Sequence, residues 1–160
     1  MSEHAPQPIA PLDGSPFRIG LATARYNPRF VDALLAQVTE QLRAAGVKAK
    51  NLTSVRVPGS NELPVAVQML ADRGRCDCLV ALGVIIRGGT MHHELIAQGV
   101  TSALHQVALA TRTPVINGVV VVNSERQAVE RVLGRLNRGA EFARAALEMA
   151  ALQRARGEKK

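Results

Sequence analysis

Aromatic side chains are nearly missing from this chain of 160 residues, which holds three Phe, one Tyr and no Trp. Recognition of RNA or single-stranded DNA usually relies on several rings that stack on bases, so a nucleic-acid role is disfavoured from the start. Cysteine is just as sparse. Cys76 and Cys78 form a C-x-C with no second pair, which excludes a disulfide framework and leaves no zinc site. Both are expected to be reduced thiols. No apolar run exceeds strand length, so no membrane-spanning helix is expected. The opening stretch, "MSEHAPQPIAPLDGSP", is polar and proline-rich and lacks the hydrophobic region of a signal peptide. It reads as a loose N-terminal arm over 1–16, on a cytoplasmic protein.

Negative charge is in the minority: 20 Lys and Arg face 13 Asp and Glu, giving a net charge of +7. Part of that excess crowds the end of the chain, where Arg154, Arg156, Lys159 and Lys160 accumulate and 157–160 reads as a basic tail. The remainder suggests an anionic partner, either nucleic acid or a small phosphorylated molecule.

What the chain does have is alternation. "FRIGLAT" (17–23), "VKAKNLTSVRV" (47–57), "CLVALGVII" (78–86) and "PVINGVVVV" (114–122) read as strands. The second is the least hydrophobic and belongs near an edge, the third is apolar on both faces as a central parallel strand should be, and the fourth reads as buried. Between them lie helical stripes. Phe30, Leu34, Val38 and Leu42 recur every four residues, after Asn27 as an expected N-cap and Pro28, and before Gly46. Further helices are expected from "PGSNELP" to about Gly74, from about His92 to Ala110, and from Ser124 to about Arg156 with a break at Gly134–Gly139. The pattern predicts one α/β domain over 17–156, three layers α/β/α, with a four-stranded parallel sheet. Ligands of such sheets bind outside the carboxyl ends of the strands. Four segments are therefore expected to meet: Thr23–Asn27, Pro58–Glu62, Ile85–His93 and Asn117–Asn123.

The third segment, "IIRGGTMHHE" (85–94), carries the most chemistry. Two glycines can turn their amides toward one point, a helix N-terminus follows, and Thr90 adds a hydroxyl: a place for a small anion. It is neither a Walker loop nor a dinucleotide fingerprint. Alone, Gly-Gly is more often a plain turn. His92 or His93 can move protons beside such a site or simply pack. Adjacent His-His-Glu cannot converge on one metal ion from one helix, so no metal is expected. Arg131 stands among Arg126, Arg135, Arg138 and Arg144, which form a solvated face, an RNA patch or a source of one phosphate clamp. Tyr26 can stack on a heterocycle or pack, and Glu62 can line a site or cap a helix.

Taken in order, "ARYN" (24–27), "VPGSNELP" (57–64), "ALGVIIRGGTMHHE" (81–94), "HQVALATRTPVING" (105–118) and "NRGAEFARAALEM" (137–149) resemble the signature segments of the 6,7-dimethyl-8-ribityllumazine synthase family. The resemblance runs from about Phe17 to Arg154. It implies a flavodoxin-like fold and the penultimate step of riboflavin biosynthesis. In that step 5-amino-6-(D-ribitylamino)uracil condenses with 3,4-dihydroxy-2-butanone 4-phosphate, without metal or organic cofactor. By position, His92 matches the proton-transfer histidine, and Gly89, Thr90 and Arg131 match the phosphate grip. Tyr26 matches the ring that stacks on the pyrimidine, while Asn27, Ser60, Glu62, Ile85 and Ile86 match further substrate contacts. Arg138 stands where the family usually has Lys. Asn61 and Asn117 occupy positions where it commonly has aromatics. The resemblance also implies a homo-oligomer built from pentamers with sites between neighbours. Two other readings compete: a protein of the same fold that holds lumazine or flavin without turnover, and a nucleic-acid binder, the latter weakened by the missing aromatics.

Overall fold

A computed structural model describes residues 12–157. Four parallel strands form one sheet in the order β2-β1-β3-β4: β1 (Ile19–Ala24), β2 (Leu52–Val57), β3 (Cys78–Ile86) and β4 (Val115–Val122). Helices α1 (Pro28–Ala44) and α5 (Arg138–Gly157) cover one face, and α2 (Leu63–Asp72) and α3 (His92–Thr111) the other. A short α4 (Glu125–Ala128) runs into a π-helical turn, Val129–Leu133. This is the three-layer α/β architecture that the alternation predicts, and the flavodoxin-like fold that the resemblance implies.

The two cores follow from side-chain period. In β1, Ile19 and Leu21 join Phe30, Leu34, Val38 and Leu42 of α1, whereas Ala22 and Ala24 join Leu63, Val67 and Leu70 of α2. The apolar stripe on α1 recurs at helical spacing and is fully buried. Gly46 ends that helix at φ 95°, with its N–H and that of Val47 returning to the carbonyls of Arg43 and Leu42. A side chain there would be strained. Central β3 is buried over its first eight residues, as its unbroken apolar run requires.

Three expectations need correction. The second strand is shorter than 47–57, because Ala49–Asn51 form a 3-10 turn and only Leu52–Val57 pair with β1. Strand β4 is an edge rather than an interior strand, so Val115, Ile116 and Asn117 stay half-buried and Val121 is exposed. Its apolar composition is more than one covered face demands. Asn27 does precede α1, but its side chain caps nothing; it reaches another strand, as described below. By contrast, Ser124 caps α4 as expected, its Oγ accepting from Gln127 N.

Arg154, read from sequence as part of a basic end, belongs to α5: its Nε lies 3.1 Å from Asp77 Oδ1 and its guanidinium sits over the Phe17 ring. Lys159 and Lys160 of the tail, and most of the 1–16 arm, lie outside the described residues.

Parallel pairing puts all four carboxyl ends on one edge. The chain leaves β1 toward β2 on one side and enters β3 on the other, so the order reverses between β1 and β3. That is where a crevice opens in such folds.

Candidate active site

A cavity of about 540 Å³ lies at that reversal. It is bordered by Tyr26 and Asn27 after β1, Gly59–Glu62 after β2, Val84–Ile86 at the end of β3, Gly88 and Thr90 in the following turn, and His92, His93 and Ile96 of α3. Three of the four segments expected to meet here do so. The fourth does not: Val121, Val122 and Asn123 border a neighbouring depression of about 350 Å³. His93 forms a wall common to both.

The β1 end is built by Asn27. Its backbone is left-handed (φ 55°, ψ 54°), and its Nδ2 donates to the carbonyl of Val84 in β3 at 2.8 Å. Asn tolerates this conformation better than other residues with a Cβ. The kink leaves Tyr26 outermost, 74% exposed at the cavity mouth, where a flat ring can cover a planar ligand. Asn27→Ala is expected to cost about 2 kcal/mol, by adding backbone strain and leaving the Val84 carbonyl unpaired. Asn27→Gly relieves the strain alone and should fall between Ala and wild type in urea unfolding. A glycine variant no more stable than the alanine variant would count against this account.

The second loop is pinned from within. The Gly59 N–H donates to Glu62 Oε2 at 2.8 Å, and the Glu62 N–H returns to the Gly59 carbonyl at 3.4 Å. Sequence left Glu62 as either cap or site residue; it caps the loop and also borders the cavity. Ser60 is buried and rests on Gly83 of β3, where any Cβ would come within 2.5 Å of the Ser60 Oγ. The bare glycine lets the loop lie flat on the strand.

Thr90 and His92 belong to the turn that opens α3. The His92 N–H reaches Thr90 Oγ1 at 3.5 Å, and His93 Nδ1 lies 3.0 Å from the Thr90 carbonyl. Both histidines border the cavity, and His92 is the more exposed. Gly88 and Gly89 have open space where a Cβ would stand, and neither has positive φ. The N-terminus of this 20-residue helix contributes partial positive charge beside the turn.

Thus Tyr26, Asn27, Ser60, Asn61, Glu62, Ile85, Ile86, Thr90 and His92 come together, while Gly89, Asn117, Arg131 and Arg138 do not border this cavity. Asn117 pairs in register with Ala81, four residues or about 13 Å below Ile85. Its Nδ2 donates to Thr101 Oγ1 and its Oδ1 accepts from Val119 N, tying β4 to α3. Arg138 is buried at the start of α5 against the Glu141 carboxylate. Arg131 lies in the π turn, whose Val132 carbonyl accepts from Gln37 Nε2 of α1 at 2.7 Å. Such turns occur often at functional sites.

Sequence reasoning missed Val84 and Ile96; it placed Gly59, Gly88 and His93 in the loops expected to meet here, without matching them to a substrate contact. Ile96 was legible, being one turn beyond His92 on the same helix face. Neither thiol takes part: burial pushes Cys78 up to about 12 and raises Cys76, so both stay neutral, and neither borders the cavity.

Fold and site together define an α/β protein with a partly polar cavity at the strand-order reversal, bordered by two histidines, a glutamate and a threonine. The profile of the family described as 6,7-dimethyl-8-ribityllumazine synthase matches residues 16–154. A protein of that name from Halorhodospira halophila is 45% identical over 138 residues, covering 86% of this chain and 88% of its own. One from Paracidovorax citrulli is 43% identical over 141 residues, covering 88% and 90%. One from Kineococcus radiotolerans is 44% identical over 144 residues, covering 88% of each chain. The chain belongs to the 6,7-dimethyl-8-ribityllumazine synthase family.

Proposed function

We propose that this transferase joins 5-amino-6-(D-ribitylamino)uracil to 3,4-dihydroxy-2-butanone 4-phosphate, with the cavity between β1, β2 and α3 as its reaction chamber. The observation that carries the reading is the meeting of Tyr26, Ser60, Glu62, Thr90 and His92 in one cavity of a chain matched by the family over 16–154. Tyr26 stacks on the pyrimidine. Asn27, Ser60, Asn61, Glu62 and the β3 end at Ile85 and Ile86 contact the pyrimidine and ribityl chain. Gly89 and Thr90 hold the phosphate, together with Arg131.

In the reaction the amine attacks the ketone, and loss of water leaves an imine. Phosphate is then eliminated, and the ribitylamino nitrogen attacks the remaining carbonyl, closing the second ring with loss of a second water. Each step moves a proton, and His92 is placed to give and take it. Phosphate departure calls for positive charge already in position, which the α3 N-terminus and an arginine supply. Holding both substrates in one cavity removes much of the entropy cost of their encounter.

Arg131 stands outside its own cavity, and apolar side chains at Leu95 and Leu109 of α3 and Val121 of β4 are exposed. These features support a homo-oligomer built from pentamers, in which Arg131 and Asn117 serve a site shared with a neighbouring copy. The free thiols suit the reducing cytoplasm, where the chain is expected to work.

The test is to mix purified protein with both substrates and follow lumazine fluorescence. His92→Ala is expected to lower kcat about tenfold to a hundredfold, toward the weak end of proton-transfer effects because the condensation also proceeds slowly unaided. Wild-type activity no faster than buffer would overturn the assignment.

A further inference from the structure

We propose that His93 is a positioning residue for the phosphate-binding turn, acting through the carbonyl of Thr90 and leaving His92 as the proton carrier. This rests on the reading above, which places phosphate at that turn.

The His93 side chain is 10% exposed, although it stands in the first turn of α3 beside Glu94, which is 54% exposed. Its Nδ1 lies 3.0 Å from the Thr90 carbonyl oxygen. A carbonyl only accepts, so the proton of this bond sits on Nδ1. In the neutral ring Nε2 is then bare and has nothing to donate to Glu94. The 3.7 Å between Nε2 and Glu94 Oε1 is beyond hydrogen-bond range in any case. The contact that orients the ring is therefore the one to Thr90.

The turn has little else to hold it. Gly88 and Gly89 touch nothing where a side chain would stand. Arg87 N is fixed to the Val122 carbonyl at 2.9 Å, and Met91 accepts the first bonds of α3. Between them, among the described residues, the hydrogen bonds are the long one from His92 N to Thr90 Oγ1 and the His93 bond to the Thr90 carbonyl. The imidazole itself is lodged between the cavity and the depression at the end of β4. A wedged ring gripping one carbonyl sets the orientation of the Thr90 peptide, and with it the direction of the Thr90 hydroxyl.

Three substitutions separate this role from bulk packing. His93→Phe keeps a ring without a donor. His93→Asn puts an amide N–H where Nδ1 stands, and His93→Gln puts one where Nε2 stands. The Phe and Gln variants are expected to raise KM for the phosphorylated substrate about three- to tenfold, the worth of one hydrogen bond, with kcat and the pyrimidine KM nearly unchanged. The Asn variant should stay near wild type. Binding of inorganic phosphate, followed by ³¹P line broadening, should rank the four proteins in the same order without any turnover. Equal losses in Phe, Asn and Gln, or a pyrimidine KM that climbs as far as that of its partner, would overturn the proposal. Wild type that forms no lumazine while the ³¹P order holds would count against the proposed reaction and for the positioning role.

Discussion

Replacing Arg131 by alanine is expected to lower kcat/KM about a hundredfold or more, a larger loss than His92→Ala. Removing one preorganised group that faces developing charge commonly costs a factor of about 10² to 10³. Proton transfer can be taken over in part by water or buffer, whereas nothing in solution anchors a departing phosphate. The location of Arg131 adds a second expectation. Its π turn is held from below by Gln37 and does not border the cavity of its own chain. In the proposed assembly the arginine therefore serves a neighbour. Chains carrying Arg131→Ala should therefore rescue chains carrying both Thr90→Ala and His92→Ala when the two are unfolded and refolded together. About one quarter of the shared sites then draw an intact cavity from one copy and an intact arginine from the next. Activity of the mixture no greater than the sum of its parents would confine Arg131 to its own chain or remove it from the reaction.

The second large effect concerns stability. Gly118 lies in β4 opposite Leu82 of β3. A Cβ there would come within 2.7 Å of the Ala81 carbonyl oxygen, 2.8 Å of Leu82 Cδ2 and 3.1 Å of Phe142 Cδ2. The nearest of these is backbone in the middle of the sheet and cannot step aside. Gly118→Ala should cost about 2 to 3 kcal/mol, even after the gain from a less flexible unfolded chain. Gly83→Ala makes a closer approach, 2.5 Å, but to the Ser60 hydroxyl, which can rotate away. It should cost less in stability and more in substrate affinity, since Ser60 borders the cavity. Urea midpoints of the two variants decide the matter, and Gly118→Ala unfolding at or above the wild-type midpoint would refute the packing argument.

Much of this was legible in the sequence because the sheet is parallel. Burial on both faces writes β3 as an unbroken apolar run, and such strands place every carboxyl end on one edge. The cavity loops could therefore be located before any side chain was placed. Other features left weaker traces. Asn27 is a common helix-start residue, so its sequence suggested a cap; only the left-handed turn sends its amide to β3 instead. Val115–Val122 looked interior, since composition cannot tell a covered strand from an edge whose outer face is apolar. His93 looked redundant beside His92. Its distinct role depends on a bond to a carbonyl three residues back, which no pattern of residue types encodes. Arg131 was found through its match to the family rather than its neighbours, because its proposed work across a boundary would leave no mark among the described residues of its own chain.

The emptiness around Gly88 and Gly89 turns that turn into a gauge. A methyl group added at either position meets no atom among the described residues and needs no unusual backbone angle. Whatever penalty alanine brings there measures what presses on the turn from outside, not the host fold.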